Sequence, residues 1–481
     1  SLHPLVVIFF SLASQLFFLI MAETSNTVAL NDNKAAGGLA SKSTKSEDSK
    51  ESYSGIDGGL SIFSPAMVEQ GVVRDVVVDY FPLAAIQKSK PIDFYVPYTN
   101  PLYFDLSKSL IFLKVKIVTD DDARVKPTQN VAFVNNIIHT LFNKVDVLIN
   151  NKLIAPDVSV HFAYQQMIQL LAYYPVDFLQ STGGCQGYVK DSPGYISTAS
   201  ITANGENKGH YKRFQWTKDG NELSLIGGLG HDIAYINCYL PNNLPINIRF
   251  WPQPDDFCLL SPSTSSENFR YVITEMSLKM HGVQVTPEII CRHEAMLAKK
   301  MAVFHYQRSE IKTFTVPAGQ LYYNVNQLFT GELPFESIVC FVKTSAYLGS
   351  RSTSPYDFQD FDLTHASLYL ENEQEKTYNP SFTDSNLDFV NAYRNLYITD
   401  SGTKFTPGII ELTDFSQGYT LLRFKLSTSQ TIRTNRIKTG TGRLTFKWEN
   451  ALTESITIIV LSRYHDTIHM DKLRNIWVSK V

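Results

Sequence analysis

Val145-Asp146-Val147-Leu148-Ile149-Asn150-Asn151 sets Val145, Val147 and Ile149 in strand alternation and ends at an asparagine turn. The unit returns as Ser367-Leu368-Tyr369-Leu370-Glu371-Asn372, and Pro380 follows the second copy as Pro156 follows the first. A helix should follow each. Ser159 can cap one whose Ala163, Met167, Leu170, Leu171 and Tyr174 share a face; Ser385 can cap one carrying Phe389, Tyr393, Leu396 and Tyr397. Further along, residues 246–251 and 269–280 correspond to 444–448 and 455–462. An offset of about 220 residues is too long for a solenoid repeat. It points to two copies of one β domain.

Working outward, residues 76–80, 92–96, 102–106 and 109–118 read as short strands separated by Pro, Asn and Lys. In the last of these, Ile111, Leu113, Val115 and Ile117 alternate with Phe112, Lys114 and Lys116, so one face meets a core. A short helix is expected near residues 131–142, with Val134, Ile137, Ile138, Leu141 and Phe142 on one stripe. A second should join the halves, with Thr286 as cap, Pro287 in the first turn, and Ile290, His293, Leu297 and Met301 facing one way. Residues 173–222 are rich in Gly, Ser and Tyr and read as a long protruding loop.

Composition agrees with a β protein. The 481 residues allow about three average domains or two large β domains of about 200–250 residues each. Hydrophobic residues make up 44% and charged ones 19%, which excludes a disordered chain. Phe 30 and Tyr 25 favour strands. A net charge of -3 excludes a genome-coating, histone-like protein. The polar arm from Glu23 is no exception. Its Lys34, Lys42, Lys45 and Lys50 are outnumbered by Glu23, Asp32, Glu47, Asp48, Glu51 and Asp57. Residues 5–20 are apolar, and two readings stand: upstream read-through before a start at Met21, or a signal or membrane anchor. Cys185, Cys238, Cys258, Cys291 and Cys340 are scattered without a C-x-x-C pair, which weighs against secretion and against a zinc ribbon.

A search for chemistry returns little. Gly183-Gly184-Cys185-Gln186-Gly187 mimics a nucleophile elbow but lacks the strand before it and the helix after it. His465 and His469 flank a strand, where a spacing of four does not converge on a metal. His293-Glu294 lacks the second histidine of a zincin. Gly227-Gly228-Leu229-Gly230 and Gly440-Thr441-Gly442 read as turns. No catalytic, cofactor-binding or metal-binding residue is expected.

The ordered blocks resemble a known family. They are Pro101 through Leu106 with Leu110 through Ile117; Val134-Asn135-Asn136-Ile137-Ile138-His139-Thr140-Leu141-Phe142 with Val145-Asp146-Val147; and Leu225-Ile226-Gly227 with Asp232, Leu240-Pro241-Asn242-Asn243, Ile246-Asn247-Ile248-Arg249 and Asp256-Phe257-Cys258-Leu259. Phe314-Thr315-Val316-Pro317-Ala318-Gly319 and Asp466-Thr467-Ile468 with Asp471 and Arg474-Asn475 complete the set. Together they resemble the double jelly-roll major capsid proteins of Polinton (Maverick) elements and adintovirus-like DNA viruses. The resemblance implies an all-β chain of two tandem eight-stranded jelly rolls with a few short helices in the connections. It implies homotrimeric, pseudo-hexagonal capsomers that tile an icosahedral shell around double-stranded DNA. Its partners would be further copies of the chain, penton and minor capsid proteins, and an adenovirus-type maturation protease, without sequence-specific nucleic acid binding. The location would be the virion, assembled inside the host cell.

The expected organisation is a leader at 1–20, an arm at 21–59, a first jelly roll at 60–285, a connecting helix at 286–304 and a second jelly roll at 305–481. Ile56-Asp57-Gly58-Gly59-Leu60 resembles the site cut by adenovirus-type proteases, with cleavage after Gly59 leaving Leu60 as a new terminus. The plainer reading makes Gly58-Gly59 a hinge between arm and shell domain. Leu225-Ile226-Gly227-Gly228-Leu229 fits the same pattern but lies between apparent core strands. The rival functions are a secreted carbohydrate-binding β-sandwich using aromatics of residues 173–222, a minor vertex capsid protein, and a cupin-type enzyme. The last needs clustered histidines that the dispersed eleven do not supply.

Overall fold

Residues 71–98, 101–154, 161–263, 267–371, 373–382, 387–398, 408–426 and 439–480 are described by a computed structural model. The cleavage motif at Gly59 and Leu60, the polar arm, and the caps Ser159 and Ser385 lie outside them.

The first half supplies β1 (Val72–Tyr80), β2 (Ile92–Val96), β3 (Tyr103–Thr119), β4 (Ala132–Phe133), β5 (Phe142–Ile149), β6 (Lys152–Ile154), β7 (Leu223–Gly228), β8 (Ile246–Pro252), β9 (Leu259–Leu260) and β10 (Phe269–Val285). Two four-stranded sheets result, in the orders β1-β10-β3-β7 and β2-β8-β5-β6, while β4 and β9 pair separately. The second half supplies β11 (Ala302–Val316), β12 (Tyr322–Glu332), β13 (Glu336–Lys343), β14 (Leu363–Leu370), β15 (Glu373–Tyr378), β16 (Leu422–Lys425), β17 (Thr439–Trp448), β18 (Ile456–Met470) and β19 (Ile476–Lys480). Its sheets run β11-β18-β13-β16, with β19 added on β18, and β12-β17-β14-β15. Taken in chain order, the strands of the second pair occupy the same places as those of the first, and every pairing within these four sheets is antiparallel. Each half is a jelly roll.

The repeated unit that opened the sequence reading falls on the β5–β6 and β14–β15 hairpins. Asn150 and Asn151 adopt φ 47 and 62, the left-handed backbone that a tight two-residue hairpin turn needs. Ile111, Leu113, Val115 and Ile117 are buried as their alternation requires. Residues 102–106 and 109–118, expected as two strands, are one. The pairing of β3 with β10 skips between Lys279/Leu110 and His281/Asp105. There Asp105 accepts the Ser107 amide at 3.1 Å, and Ser109 Oγ takes the His281 amide at 3.1 Å, so side chains satisfy the interrupted ladder.

The helix expected at 131–142 shrinks to a single turn, Ile137–Thr140. Asn136 before it is left-handed at φ 52, and Asn135 Oδ1 accepts the amides of Asn136 and Val189, both at 2.9 Å. The stretch 131–142 is buried throughout, so its apolar residues never form a one-sided stripe. Helices Phe162–Tyr173, Pro287–Leu297 and Val390–Tyr397 do form. Thr286 stands at the start of the second of these, but its side chain makes no capping bond, and Met301 is exposed.

Residues 173–222 do not simply protrude. They bury Phe178, Tyr188, Ile196, His210, Arg213 and Phe214, and fold a further helix, Lys208–Thr217. Phe178, Tyr188 and Ile196 join Tyr164, Met167, Ile168 and Leu171 in completing the core of the second jelly roll. In exchange, Phe304, Tyr306, Ile468, Met470 and Ile476 complete the core of the first. The two halves share their interiors.

Candidate assembly surfaces

Several buried ionisable groups lie where the halves meet. Glu336, 1% exposed, accepts Arg423 Nε at 2.8 Å, Arg463 Nη1 at 2.6 Å and the Tyr173 hydroxyl at 2.6 Å. Burial opposes its ionisation, but the two guanidinium groups outweigh that and hold the carboxyl below its usual range. Asp466 accepts Arg308 Nε at 2.7 Å, and Arg308 also reaches Glu332 at 3.1 Å. Asp232 accepts the Ser309 amide at 2.6 Å, the Ser309 hydroxyl at 3.0 Å and Gln165 Nε2 at 2.9 Å. Here burial prevails over the hydrogen bonds and raises the carboxyl to about 6.

Smaller contacts repeat the pattern. Arg213 spans Asp191 at 2.8 Å and the carbonyls of Phe133 and Val189, and Tyr419 donates to the Asp191 carbonyl at 2.9 Å. Lys190 meets Asp414 at 2.5 Å, and Thr140 Oγ1 lies 2.7 Å from the Tyr356 hydroxyl. Shifted ionisable groups often mark catalysis when they line a cleft. The contacts of Glu336 with Tyr173, Asp232 with Ser309, Tyr419 with Asp191, Lys190 with Asp414 and Thr140 with Tyr356 join the two halves, while Arg308–Asp466 and Arg213–Asp191 pack within one.

The residues weighed as reactive are dispersed. Cys185 is exposed on a single 3-10 turn, Gly184–Gln186. His465 and His469 lie within β18 rather than flanking it: His465 stacks on Phe335 at 4.4 Å, and His469 Nε2 is 2.9 Å from Thr467 Oγ1. His293 Nδ1 is 3.1 Å from the Tyr103 hydroxyl. Leu225 and Leu229 are buried, so the second Gly-Gly motif sits inside the fold. Among the described residues no group of three or more His, Cys, Asp or Glu is placed to hold a metal, and no helix is long and apolar enough to cross a membrane.

What the surface does offer is apolar. Val73 and Val77 on β1, then Phe81 and Leu83, are 57%, 60%, 63% and 64% exposed, and the last two line a shallow groove of about 440 Å³ with Thr274, Glu275 and Met276. Val303 on β11 and Trp477 on β19 are also exposed. Sequence reading missed both patches. Val-rich strands read as core, and only sheet position shows that β1 and β11 are edges.

Comparison with solved structures places this architecture. A chain of the Sputnik virophage cryo-EM structure matches with a TM-score of 0.59 at 12% identity, covering 89% of this chain and 92% of that one. The mavirus major capsid protein matches with a TM-score of 0.54 at 9% identity, covering 95% and 97%. This chain has the viral double jelly-roll fold. PBCV-1 VP54, fitted into a Sputnik reconstruction, matches with a TM-score of 0.53 at 8% identity, covering 87% and 99%. By sequence, the chain is 23% identical over 356 residues to the uncharacterized Caenorhabditis elegans protein F54H12.2, covering 71% of this chain and 81% of that protein. No family model matches.

Proposed function

We propose that this chain is a major capsid protein, three copies of which form a pseudo-hexagonal capsomer of an icosahedral shell around double-stranded DNA. The observation that carries the reading is the likeness to the mavirus major capsid protein over 95% of this chain and 97% of that one. Two jelly rolls of one strand order, fused through shared cores, give each copy two similar sides. Three such copies can then approximate a hexagon. The work is structural rather than catalytic, and it requires no cofactor. Partners are further copies of the chain together with penton and minor capsid proteins, and the location is the virion.

A Polinton or adintovirus-like source is the finer reading that the sequence resemblance supports, and the uncharacterized relative in Caenorhabditis elegans is consistent with a related sequence occurring in an animal. In this reading residues 21–59 are an arm, 60–285 and 305–481 the two shell domains, and 286–304 their connection. Gly59-Leu60 is then either the hinge or the cut made by a maturation protease. Mass spectrometry of mature particles decides between them: a terminus at Leu60 supports cleavage, and an intact arm excludes it. The carbohydrate-binding alternative loses ground because three of the eight aromatics in its stretch, Phe178, Tyr188 and Phe214, are buried.

Negative-stain microscopy of the purified chain tests the reading. Pseudo-hexagonal capsomers are the expected particles, and uniform single-copy particles would overturn it.

A further inference from the structure

At one end, the β11-β18-β13 sheet is covered by the chain itself: Tyr173 lies 4.6 Å from Arg463, and Gln169 donates to Ser309 Oγ at 3.0 Å. At the other end the cover stops. Register places Val303, His469 and Trp477 in one cross-strand row, His305, Thr467 and Ser479 in the next, and Gln307 with His465 in a third. Directly paired residues share a face. Phe304, Tyr306, Ile468 and Met470 alternate onto the opposite, buried face, so these rows look outward, except that Thr467 is 4% exposed and hydrogen-bonded to His469 and Ser479. None of the eight is a carboxylate. The nearest one below, Glu336, is 1% exposed and taken up by Arg423, Arg463 and Tyr173. The face is apolar at Val303 and Trp477 and otherwise offers mainly imidazole, amide and hydroxyl groups.

The first jelly roll carries a complementary strip. β1 holds the edge position there that β11 holds in the second. Alternate residues Asp75, Val77, Asp79 and, just beyond, Phe81 are all exposed, and Val73, at the bulge before them, is exposed too. Asp75 has His281 3.8 Å away, and Asp79 meets Lys279 at 2.9 Å, yet both carboxylates keep roughly half their surface in water, at 60% and 43%. Apolar groups therefore alternate with acceptors on β1, while on the β11–β18–β19 face Val303 and Trp477 share one row with His469 and the rows beyond carry imidazole, amide and hydroxyl groups.

We propose that the β11–β18–β19 face around His305, His465 and His469 docks on the β1 strip of a second copy of the chain. The proposal rests on the capsomer reading and names its contact. The argument for a second copy is that both halves of the match lie on one chain, at equivalent positions of two similar jelly rolls. A contact between two different patches is head-to-tail, and with a suitable rotation it closes into a ring. Val77 and Phe81 then meet Val303 and Trp477, while Asp75 and Asp79 meet the imidazoles.

The test substitutes exposed side chains that neither jelly-roll core uses. Val77→Glu and Val303→Glu should each weaken association at least tenfold in size-exclusion light scattering while the melting profile is kept. In parallel, Val77→Cys and Val303→Cys chains are mixed, oxidised and digested. A mapped disulfide between positions 77 and 303 is expected. A trimeric parent whose two Glu variants stay trimeric, with no such link, overturns this contact and leaves the capsomer reading standing. A monomeric parent sinks both.

Discussion

Tyr173 ends a helix of the first half, Glu336 begins a strand of the second, and the tyrosine hydroxyl donates to the carboxylate at 2.6 Å. Around this bond Arg423 and Arg463 complete a buried cluster, so a polar network accompanies the two apolar cores where the halves meet. Breaking a buried ion pair costs more than forming it gains, because the surviving charges are stranded.

Glu336→Gln should therefore destabilise the chain by about 3–5 kcal/mol, since two guanidinium groups lose their counter-charge. Tyr173→Phe should cost less, about 1.5–3 kcal/mol, the range for a hydrogen bond to a charged group. Because the folded carboxyl lies below its unfolded value near 4.5, its contribution is present above that pH and is lost as pH falls through the folded value. Urea titrations between pH 3 and 7 read both effects. A Gln variant as stable as its parent at pH 7 would contradict the assignment.

Asp232 behaves in the opposite sense. Its carboxyl lies at about 6 in the fold against 3.8 ordinarily, so the folded state holds the extra proton in that window. Stability from this group is highest below the lower value and falls as pH rises through the upper one. Asp232→Asn should flatten that slope between pH 4 and 6. If the variant and its parent keep the same pH dependence there, Asp232 is not the buried acid described.

Most of the architecture was legible in the residues. The β5–β6 turn, the alternation of β3 and the return of the unit at Ser367 depend on local spacing, which a sequence displays. The shared cores were not legible. Nothing near Ile468 says that it packs into the first jelly roll, and nothing in residues 173–222 says that Arg213 is buried against Asp191. Those pairings join residues far apart in the chain or inside an irregular loop, where no period exists to read. The outward histidine rows were missed for a related reason: His465 and His469 were placed at the ends of a strand that in fact runs through both.

Shared cores carry their own expectation. Residues 71–300 expressed alone lack Phe304, Tyr306, Ile468 and Met470, and residues 301–480 alone lack Tyr164, Met167 and Leu171. Each fragment should bind hydrophobic dye and show broad amide resonances, whereas the two co-expressed should recover a cooperative melt. A first fragment that melts cooperatively by itself would show that the exchange is dispensable.

The capsomer reading stands or falls on mass in solution. Light scattering of the chain from Met21 onward, at low micromolar concentration and moderate salt, should give three times the single-chain mass, because apolar burial is little affected by ionic screening. A stable monomer under those conditions would contradict it.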